Sequence, residues 1–311
     1  MSSDISVTNE NAAAAIDKDS TLQLEAASSA NSKNRLVRRK VNGKPVVQID
    51  VAEIRGMPIH SISLMETVSL VLDSSRAGRG GWVVTPNLDI LRRYRKSISF
   101  RNLVATSTLN VADGMPIVWA SRILGMPVPE RINGTDLMVE VCRAASVSGE
   151  TVYFLGGAPG TAVDTAEELT ARFPGLNVSG CDCPEYGFES DMDSINKIAD
   201  EIRTNQPDIV FIGLGSPKQD VLINMLRLQF PNIWWLGVGV SFSFISGDIA
   251  RAPNWAKASG FEWLYRLVAE PRRLAKRYLV EGIPFFATTL LVCFTARVFG
   301  KAKRRTIELE I

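Results

Sequence analysis

Short apolar runs alternate with amphipathic stretches along most of the chain. Runs of four to six apolar residues predict buried strands, and apolar residues three and four positions apart predict helices. Near-continuous apolar strands separated by helices are typical of a parallel sheet covered on both faces. We therefore predict an α/β fold with a doubly wound, mostly parallel sheet. The predicted strands are Gly81–Val84, Leu103–Thr106, Thr151–Leu155, Asp208–Ile212 and Ile233–Gly237, and the main predicted helices are Ser63–Ser74, Pro86–Lys96, Gly134–Ser148, Ser194–Thr204 and Pro217–Gln229.

The two ends of the chain differ from this pattern. Residues 1–34 have no apolar core and predict a disordered leader, so the core spans residues 35–250. Residues 251–311 form a C-terminal appendage, in which Phe261–Val280 predicts a basic amphipathic helix. The fifteen uncharged residues 282–296 are short of the roughly 20 that a spanning helix needs. A helical element lying in the membrane interface is favoured, while packing on the core or on a partner subunit and a true membrane span stay open.

Charge and residue counts narrow the function. The 311 residues carry a net charge of +2, too little for a nucleic-acid-binding protein. The appendage holds twelve Lys or Arg against five Glu, which indicates an anionic partner at that end. One histidine, His60, and four cysteines without metal-ligand spacing favour a reduced protein on the cytoplasmic side, with no metal site and a structural role for His60. Asp191 and Asp193 have the spacing of a metal-binding carboxylate pair, but they open a predicted helix.

Polar loops follow two of the predicted strands. Thr85 and Asn87 come directly after one strand, where a hydroxyl and an amide can orient a sugar or nucleotide. Asp113, at the next strand-to-helix crossover, is positioned to accept a proton from a substrate hydroxyl. Capping of the following helix is the alternative for both loops.

Two glycine-containing loops indicate binding of an anion. The turn Gly156–Gly160 resembles a phosphate-binding turn but lacks the spacing of a dinucleotide fingerprint, which makes a nicotinamide-dependent oxidoreductase a weaker alternative. The loop Gly213–Asp220 places glycines, a cation and an amide at a helix N-terminus, which favours a diphosphate. From these loops we select Gly156, Gly157, Gly215, Lys218 and Gln219 as candidate residues for binding a nucleotide or its diphosphate.

Seven short motifs follow one another along the chain: Thr85-Pro86-Asn87, Ala112-Asp113-Gly114, Glu130–Asp136, Gly215–Gln219, Gly237-Val238-Gly239, Arg251-Ala252-Pro253 and Glu262–Leu267. They occur in the order found in the WecG/TagA/CpsF glycosyltransferases, which this chain resembles from about Ile54 to Tyr278. That resemblance implies a Rossmann-like core and an inverting, metal-independent transfer of a sugar from a UDP donor to a polyprenyl-diphosphate-linked saccharide. A non-catalytic membrane adaptor is the second alternative.

The resemblance also implies roles for individual residues. Asp113 matches the general base, with Thr85 and Asn87 as active-site residues, and no cofactor is expected. The partners are the UDP-sugar, the lipid-linked acceptor and the inner face of the cell membrane, with a homo-oligomer as a further option. Two departures from the family pattern are Ser243, where many members have Asp, and Lys276, where Arg is usual. The acceptor or diphosphate residues are Arg131, Arg251, Arg266, Arg273, Lys276 and Arg277.

Overall fold

The structure is a computed structural model that describes residues 36–41, 44–250, 262–269, 271–302 and 305–311. By its contacts the chain divides into residues 1–37 and residues 38–311, and the elements below belong to the second unit, except for the first residue of the first strand. The leader predicted for residues 1–34 lies outside the described residues.

The elements are numbered along the chain. The strands are β1 (Val37–Val41), β2 (Lys44–Ile54), β3 (Met57–His60), β4 (Gly81–Val84), β5 (Leu109–Asn110), β6 (Thr151–Gly156), β7 (Asn177–Asp182), β8 (Ile209–Gly213), β9 (Trp234–Gly237) and β10 (Arg305–Glu310). The helices are α1 (Leu64–Arg76), α2 (Leu88–Lys96), α3 (Ile98–Val104), α4 (Met115–Leu124), α5 (Gly134–Ser148), α6 (Thr161–Arg172), α7 (Met192–Asn205), α8 (Lys218–Leu226), α9 (Ser241–Ile245), α10 (Glu262–Ala269), α11 (Pro271–Ala275) and α12 (Ile283–Val298), with a π-helix at Lys276–Gly282 before α12.

Six strands form a central parallel sheet in the order β5-β4-β9-β8-β6-β7. Every neighbouring pair in it is parallel, which confirms the predicted α/β class and parallel sheet. The chain moves toward one edge from β4 to β5 and toward the other from β6 to β7. Because such crossovers are right-handed, the connecting helices cover opposite faces, as in a Rossmann-like fold.

The two faces of the sheet bury different sets of side chains. In β8, Val210 and Ile212 belong to the cluster that includes residues of α2, α3, α7 and α8. Phe211, between them, points to the other face and stacks on Phe154 with ring centroids 5.5 Å apart. Phe242 of α9 meets Phe154 edge-on at 5.7 Å. This alternation shows why the strands are apolar at every position.

One predicted strand is wrong. Residues 103–106 were expected to be a strand, but Leu103 and Val104 end the helix α3, and the strand at this place is Leu109–Asn110. The hydroxyl of Ser97 caps α3 by accepting the N–H of Phe100 at 3.2 Å. A short apolar run fits a buried helix turn as well as a strand, so its pattern could not decide.

A small antiparallel sheet joins the two ends of the described chain. β2 pairs with β3 and with β10, in a register that places Arg305 opposite Val51 and Glu310 opposite Val46. The ion pair of Arg79 with Glu310, at 2.9 Å, ties β10 to the loop before β4. The sequence did not predict β10, although β1 and β2 match the expected strand or hairpin near residues 40–50.

The C-terminal helix α12 packs on α4. Trp119 of α4 and Phe286 of α12 lie with ring centroids 5.9 Å apart, and Cys293 is buried. Within the described residues, one helix, Lys276–Val298, is long and apolar enough to cross a membrane by length and composition; it has 23 residues, and an 18-residue stretch of it has a mean hydropathy of 1.7. The helix is longer than the fifteen uncharged residues 282–296, because it begins at Lys276. Its outer side exposes Ile283, Leu291, Phe294 and Val298.

Candidate active site

A cavity of about 460 Å³ lies beyond the carboxyl ends of the parallel strands. Loops after β4, β5, β8 and β9 form its base, and residues of the π-helix and α12 close one side. This is where open α/β sheets bind their ligands. The predicted site residues that line it are Thr85, Asn87, Asp113, Arg131, Gly215, Gln219 and Arg277.

Thr85 and Asn87 are held in place by the backbone around them. The Thr85 hydroxyl is buried and donates to the carbonyl of Gly237 at 3.3 Å, which ties β4 to β9. Asn87 is the N-cap of α2, and its Oδ1 accepts the N–H groups of Asp89 and Ile90, each at 3.1 Å. The capping alternative is thus confirmed for Asn87. Both residues still line the cavity, so capping fixes Asn87 where a ligand would lie.

Asp113 lies half-buried on the loop between β5 and α4. Its backbone N–H donates to the carbonyl of Pro86 at 2.8 Å, which holds the loop against the loop after β4. The N-cap of α4 is Gly114, with a φ of 113° and no side-chain cap hydrogen bond of its own. Asp113 therefore precedes the N-cap residue instead of occupying that position. The positive φ requires glycine and lets the chain turn directly into α4 beside the carboxylate.

Arg131 and the start of α5 form the opposite wall. The N–H of Ile132 donates to the carbonyl of Ala112 at 2.7 Å, so the Arg131 loop is fixed next to Asp113. Thr135, in the first turn of α5, donates to the hydroxyl of Ser241 at 2.9 Å, and this bond ties α5 to the start of α9. These bonds join the Asp113 loop, the Arg131 loop and the start of α9 into one wall.

The side-chain amide of Gln219 is buried, and its position requires a glycine at residue 237. Its Oε1 accepts the N–H of Gly239 at 3.1 Å. A Cβ on Gly237 would lie 2.5 Å from its Nε2, a distance that no such contact tolerates. Gly237 therefore leaves room for Gln219 to extend from α8 under the end of β9.

Helices α4, α5 and α8 are among those that begin at the cavity. Residues of their first turns, including Pro116, Gly134 and Gln219, line it. Helix N-termini carry partial positive charge and unpaired N–H groups, so the cavity favours an anion.

The remaining predicted residues lie elsewhere or outside the description. Lys218 forms an ion pair with Glu189 and lies over the ring of Tyr186, 4.7 Å from its centroid. Gly157 lines a smaller adjoining cavity of about 240 Å³, and Gly156 precedes it at the end of β6. Lys276 is exposed at the start of the π-helix. Arg251 lies outside the described residues, and so do the side chains of Arg266 on α10 and Arg273 on α11.

Several lining residues were missed by sequence reasoning. Arg92 and Asp89 belong to α2, whose alternation of apolar and charged residues resembles a solvated helix face. Aromatic walls come from Trp119 and from Trp263, which meets Tyr278 edge-on at 6.3 Å. The sequence motif that contains Trp263 does not indicate that α4 and α12 pack against each other.

Two buried groups near the site have shifted pKa values. Burial lowers the pKa of His60 to about 4, although the backbone of Asn110 opposes the shift. Burial raises the pKa of Asp220 to about 6, against the hydrogen bond from Ser216 and the charge of Arg93. Among the residues that the structure describes, no group of three or more His, Cys, Asp or Glu could hold a metal ion. Independence from metal stays a prediction.

A parallel α/β sheet with an anion-favouring cavity beyond the carboxyl ends of its strands defines a Rossmann-like ligand-binding protein. The cavity wall is built from the loops that carry the ordered motifs of the sequence. The chain belongs to the glycosyl transferase WecG/TagA/CpsF family, whose sequence model matches residues 52–298.

Similar proteins from three bacteria share one name, N-acetylglucosaminyldiphosphoundecaprenol N-acetyl-beta-D-mannosaminyltransferase. The protein of Bacillus spizizenii is 30% identical over 80% of this chain and 90% of its own length. That of Bacillus subtilis is 29% identical over 68% of this chain and 79% of its own length. That of Staphylococcus aureus is 27% identical over 75% of this chain and 89% of its own length.

Proposed function

We propose that this protein is an inverting glycosyltransferase that moves a sugar from a UDP donor to a polyprenyl-diphosphate-linked saccharide in cell-envelope or exopolysaccharide biosynthesis. The observation that carries the proposal is that Asp113, Thr85, Asn87, Arg131 and Gln219 line one cavity. The names of the similar proteins support the acceptor class and favour N-acetylmannosamine as the sugar. Its uronic acid and glucose are the other donor sugars to test.

Asp113 acts as the general base in this proposal. Its carboxylate takes the proton of the acceptor hydroxyl while the oxygen attacks the anomeric carbon of the donor sugar. The bond from that carbon to the UDP oxygen breaks on the opposite face, which inverts the anomeric configuration. Negative charge develops on UDP, and the N-termini of α5 and α8 and the arginines of the cavity compensate it without a metal.

The donor nucleotide occupies the smaller adjoining cavity. Gly215 and Gly239 line both this cavity and the larger one, so a diphosphate can extend from one cavity into the other. Gly157 leaves its backbone accessible there, and Ser243 lines the same space. A serine at this place in the chain gives a shorter, uncharged side chain for the donor to meet.

The C-terminal segment brings the enzyme to its lipid-linked acceptor at the inner face of the membrane. Arg277 reaches the cavity from the π-helix, while apolar side chains of α12 face outward. Each Lys or Arg near an anionic surface contributes about 1 kcal/mol of attraction. In this proposal Arg251, Arg266, Arg273 and Lys276 serve the acceptor diphosphate or the surface.

The experiment is a panel of UDP-sugars with a short-chain lipid-diphosphate saccharide as acceptor, read as UDP release and as labelled product. One UDP-sugar should give product, and the same reaction without acceptor should give almost none. Binding of NAD(P) in place of UDP would favour the oxidoreductase, and UDP binding without any transfer would favour the adaptor.

A further inference from the structure

A cluster of charged side chains lines the edge of the cavity where α2 meets the π-helix. The rim cluster, as we call it, consists of Asp89, Arg92 and Arg93 from α2 with Arg277 and Glu281 from the π-helix. Asp89, Arg92 and Arg277 line the cavity itself.

Asp89 is the anion that these arginines share. Its Oδ1 accepts a hydrogen bond from Arg92 at 2.9 Å, and its Oδ2 lies 3.1 Å from Arg277 and 3.6 Å from Arg93. Asp89 and Arg92 are mostly buried, with 16% and 18% of their side chains exposed. The Asp89 carboxylate lies between the guanidinium groups of Arg92 and Arg277 at the cavity wall, so it occupies a position where another anion could bind.

The rim cluster keeps an excess of positive charge. Its three arginines face two carboxylates, since Glu281 pairs with Arg92. Arg93 also donates to the hydroxyl of Ser216 at 3.1 Å, which connects the cluster to the loop after β8. Guanidinium groups bind carboxylate and phosphate with the same paired geometry, and a phosphate group offers more oxygens and more charge.

The family resemblance assigns Arg277 to the diphosphate. We propose that Arg92 completes a phosphate-binding pair with it at the cavity edge, and that Asp89 occupies this pair in the free protein until a diphosphate takes its place. The inference deepens the proposed function, because the diphosphate comes either from the nucleotide donor or from the lipid-linked acceptor. Arg92 belongs to the core and Arg277 to the C-terminal segment, so the bound diphosphate joins the two directly.

The test is calorimetric binding of inorganic pyrophosphate to the full chain in detergent. Asp89→Asn removes the competing carboxylate and should raise pyrophosphate affinity about five-fold, while Arg92→Gln should lower it about ten-fold. The matched control is Asp73→Asn, which removes the same charge from an ion pair on α1, where Asp73 lies 2.7 Å from Arg38. This control should bind as the natural protein does.

Three results would overturn the inference. They are equal affinity in the Asp89 and Asp73 variants, weaker binding in the Asp89 variant, and unchanged binding in the Arg92 variant. The second would mean that Asp89 holds the arginines in place rather than filling their site. Thermal melting identifies a variant that does not fold. If Arg92→Gln does not fold, Arg92→Lys replaces it in the test. Lysine keeps the charge but cannot make the planar paired contact, so this variant should lower pyrophosphate affinity about three-fold.

The same variants identify the source of the diphosphate. UDP and farnesyl diphosphate are titrated in parallel, and the ligand whose affinity falls with Arg92→Gln is the one that uses the pair. Pyrophosphate binding is measured without any sugar transfer. If the variants change pyrophosphate affinity as expected but the protein transfers no sugar, only the proposed function is refuted. If the protein transfers sugar but the variants leave pyrophosphate affinity unchanged, only this inference is refuted.

Discussion

Two buried side chains should give the free energy of unfolding opposite dependences on pH. His60 is 5% exposed, its Nδ1 accepts the N–H of Asn110 at 2.8 Å, and burial lowers its pKa from 6.5 to about 4. Asp220 is 1% exposed, and burial raises its pKa from 3.8 to about 6. Both are close to the site, because Asn110 precedes the Asp113 loop and Asp220 follows Gln219.

The signs follow from which state holds the proton. As the pH falls from 6.5 to about 4, the unfolded chain gains a proton on His60 and the folded chain does not, so stability falls. As the pH rises from 3.8 to about 6, the unfolded chain releases the Asp220 proton and the folded chain keeps it, so stability also falls. At about 1.4 kcal/mol per pH unit, each contribution is about 3 kcal/mol, and the two nearly cancel.

Removing one titration should reveal the other. His60→Asn keeps an acceptor for Asn110 but does not titrate, so this variant should lose stability as the pH rises from 4 to 6. Asp220→Asn should gain stability over the same range. The assay is urea unfolding of the full chain in detergent, followed by tryptophan fluorescence. Parallel pH profiles for the two variants would refute the reasoning.

Three further predictions concern the site and its surroundings. Gly237→Ala should force Gln219 aside, destabilise the fold by about 1–3 kcal/mol and lower kcat. Thermal melting and turnover measure these two effects, and an unchanged kcat would contradict the prediction. Transfer should continue in EDTA, and activity that requires added magnesium or manganese would contradict metal independence. Charge reversal at Lys301 and Arg305, both exposed, should weaken co-sedimentation with anionic vesicles but leave transfer to a soluble acceptor nearly unchanged. An equal loss of vesicle binding and of transfer to the soluble acceptor would contradict the prediction that Lys301 and Arg305 act only in membrane attachment.

Local patterns predicted most of the central sheet. The apolar runs of β4, β6, β8 and β9 lie within one or two residues of their predicted places, because a buried parallel strand is apolar on both faces. The pattern failed where pairing depends on distant residues. β10 lies about 250 residues from β2, and nothing local indicates that Arg305–Glu310 pairs with it.

The candidate site was predictable in part. Asp113, Thr85, Asn87 and Gln219 follow strands, and parallel strands place such loops at one edge of the sheet. Arg92 was not predictable, because only the packing of the π-helix on α2 brings its charge to the cavity. The way the C-terminal segment completes the fold was not predictable either, because no local pattern indicates that Cys293 and Ile311 are buried or that β10 pairs with β2.

The central claim is that Asp113 is the base of a sugar transfer. The most direct measurement is turnover of Asp113→Asn with the best UDP-sugar and a lipid-diphosphate acceptor, alongside UDP affinity. Asp73→Asn is the control, since Asp73 pairs with Arg38 at 2.7 Å and lies outside the cavity lining. We predict a loss of about 100-fold or more in turnover for Asp113→Asn, with UDP affinity and melting temperature preserved. Turnover within a few-fold of the natural protein would contradict the claim.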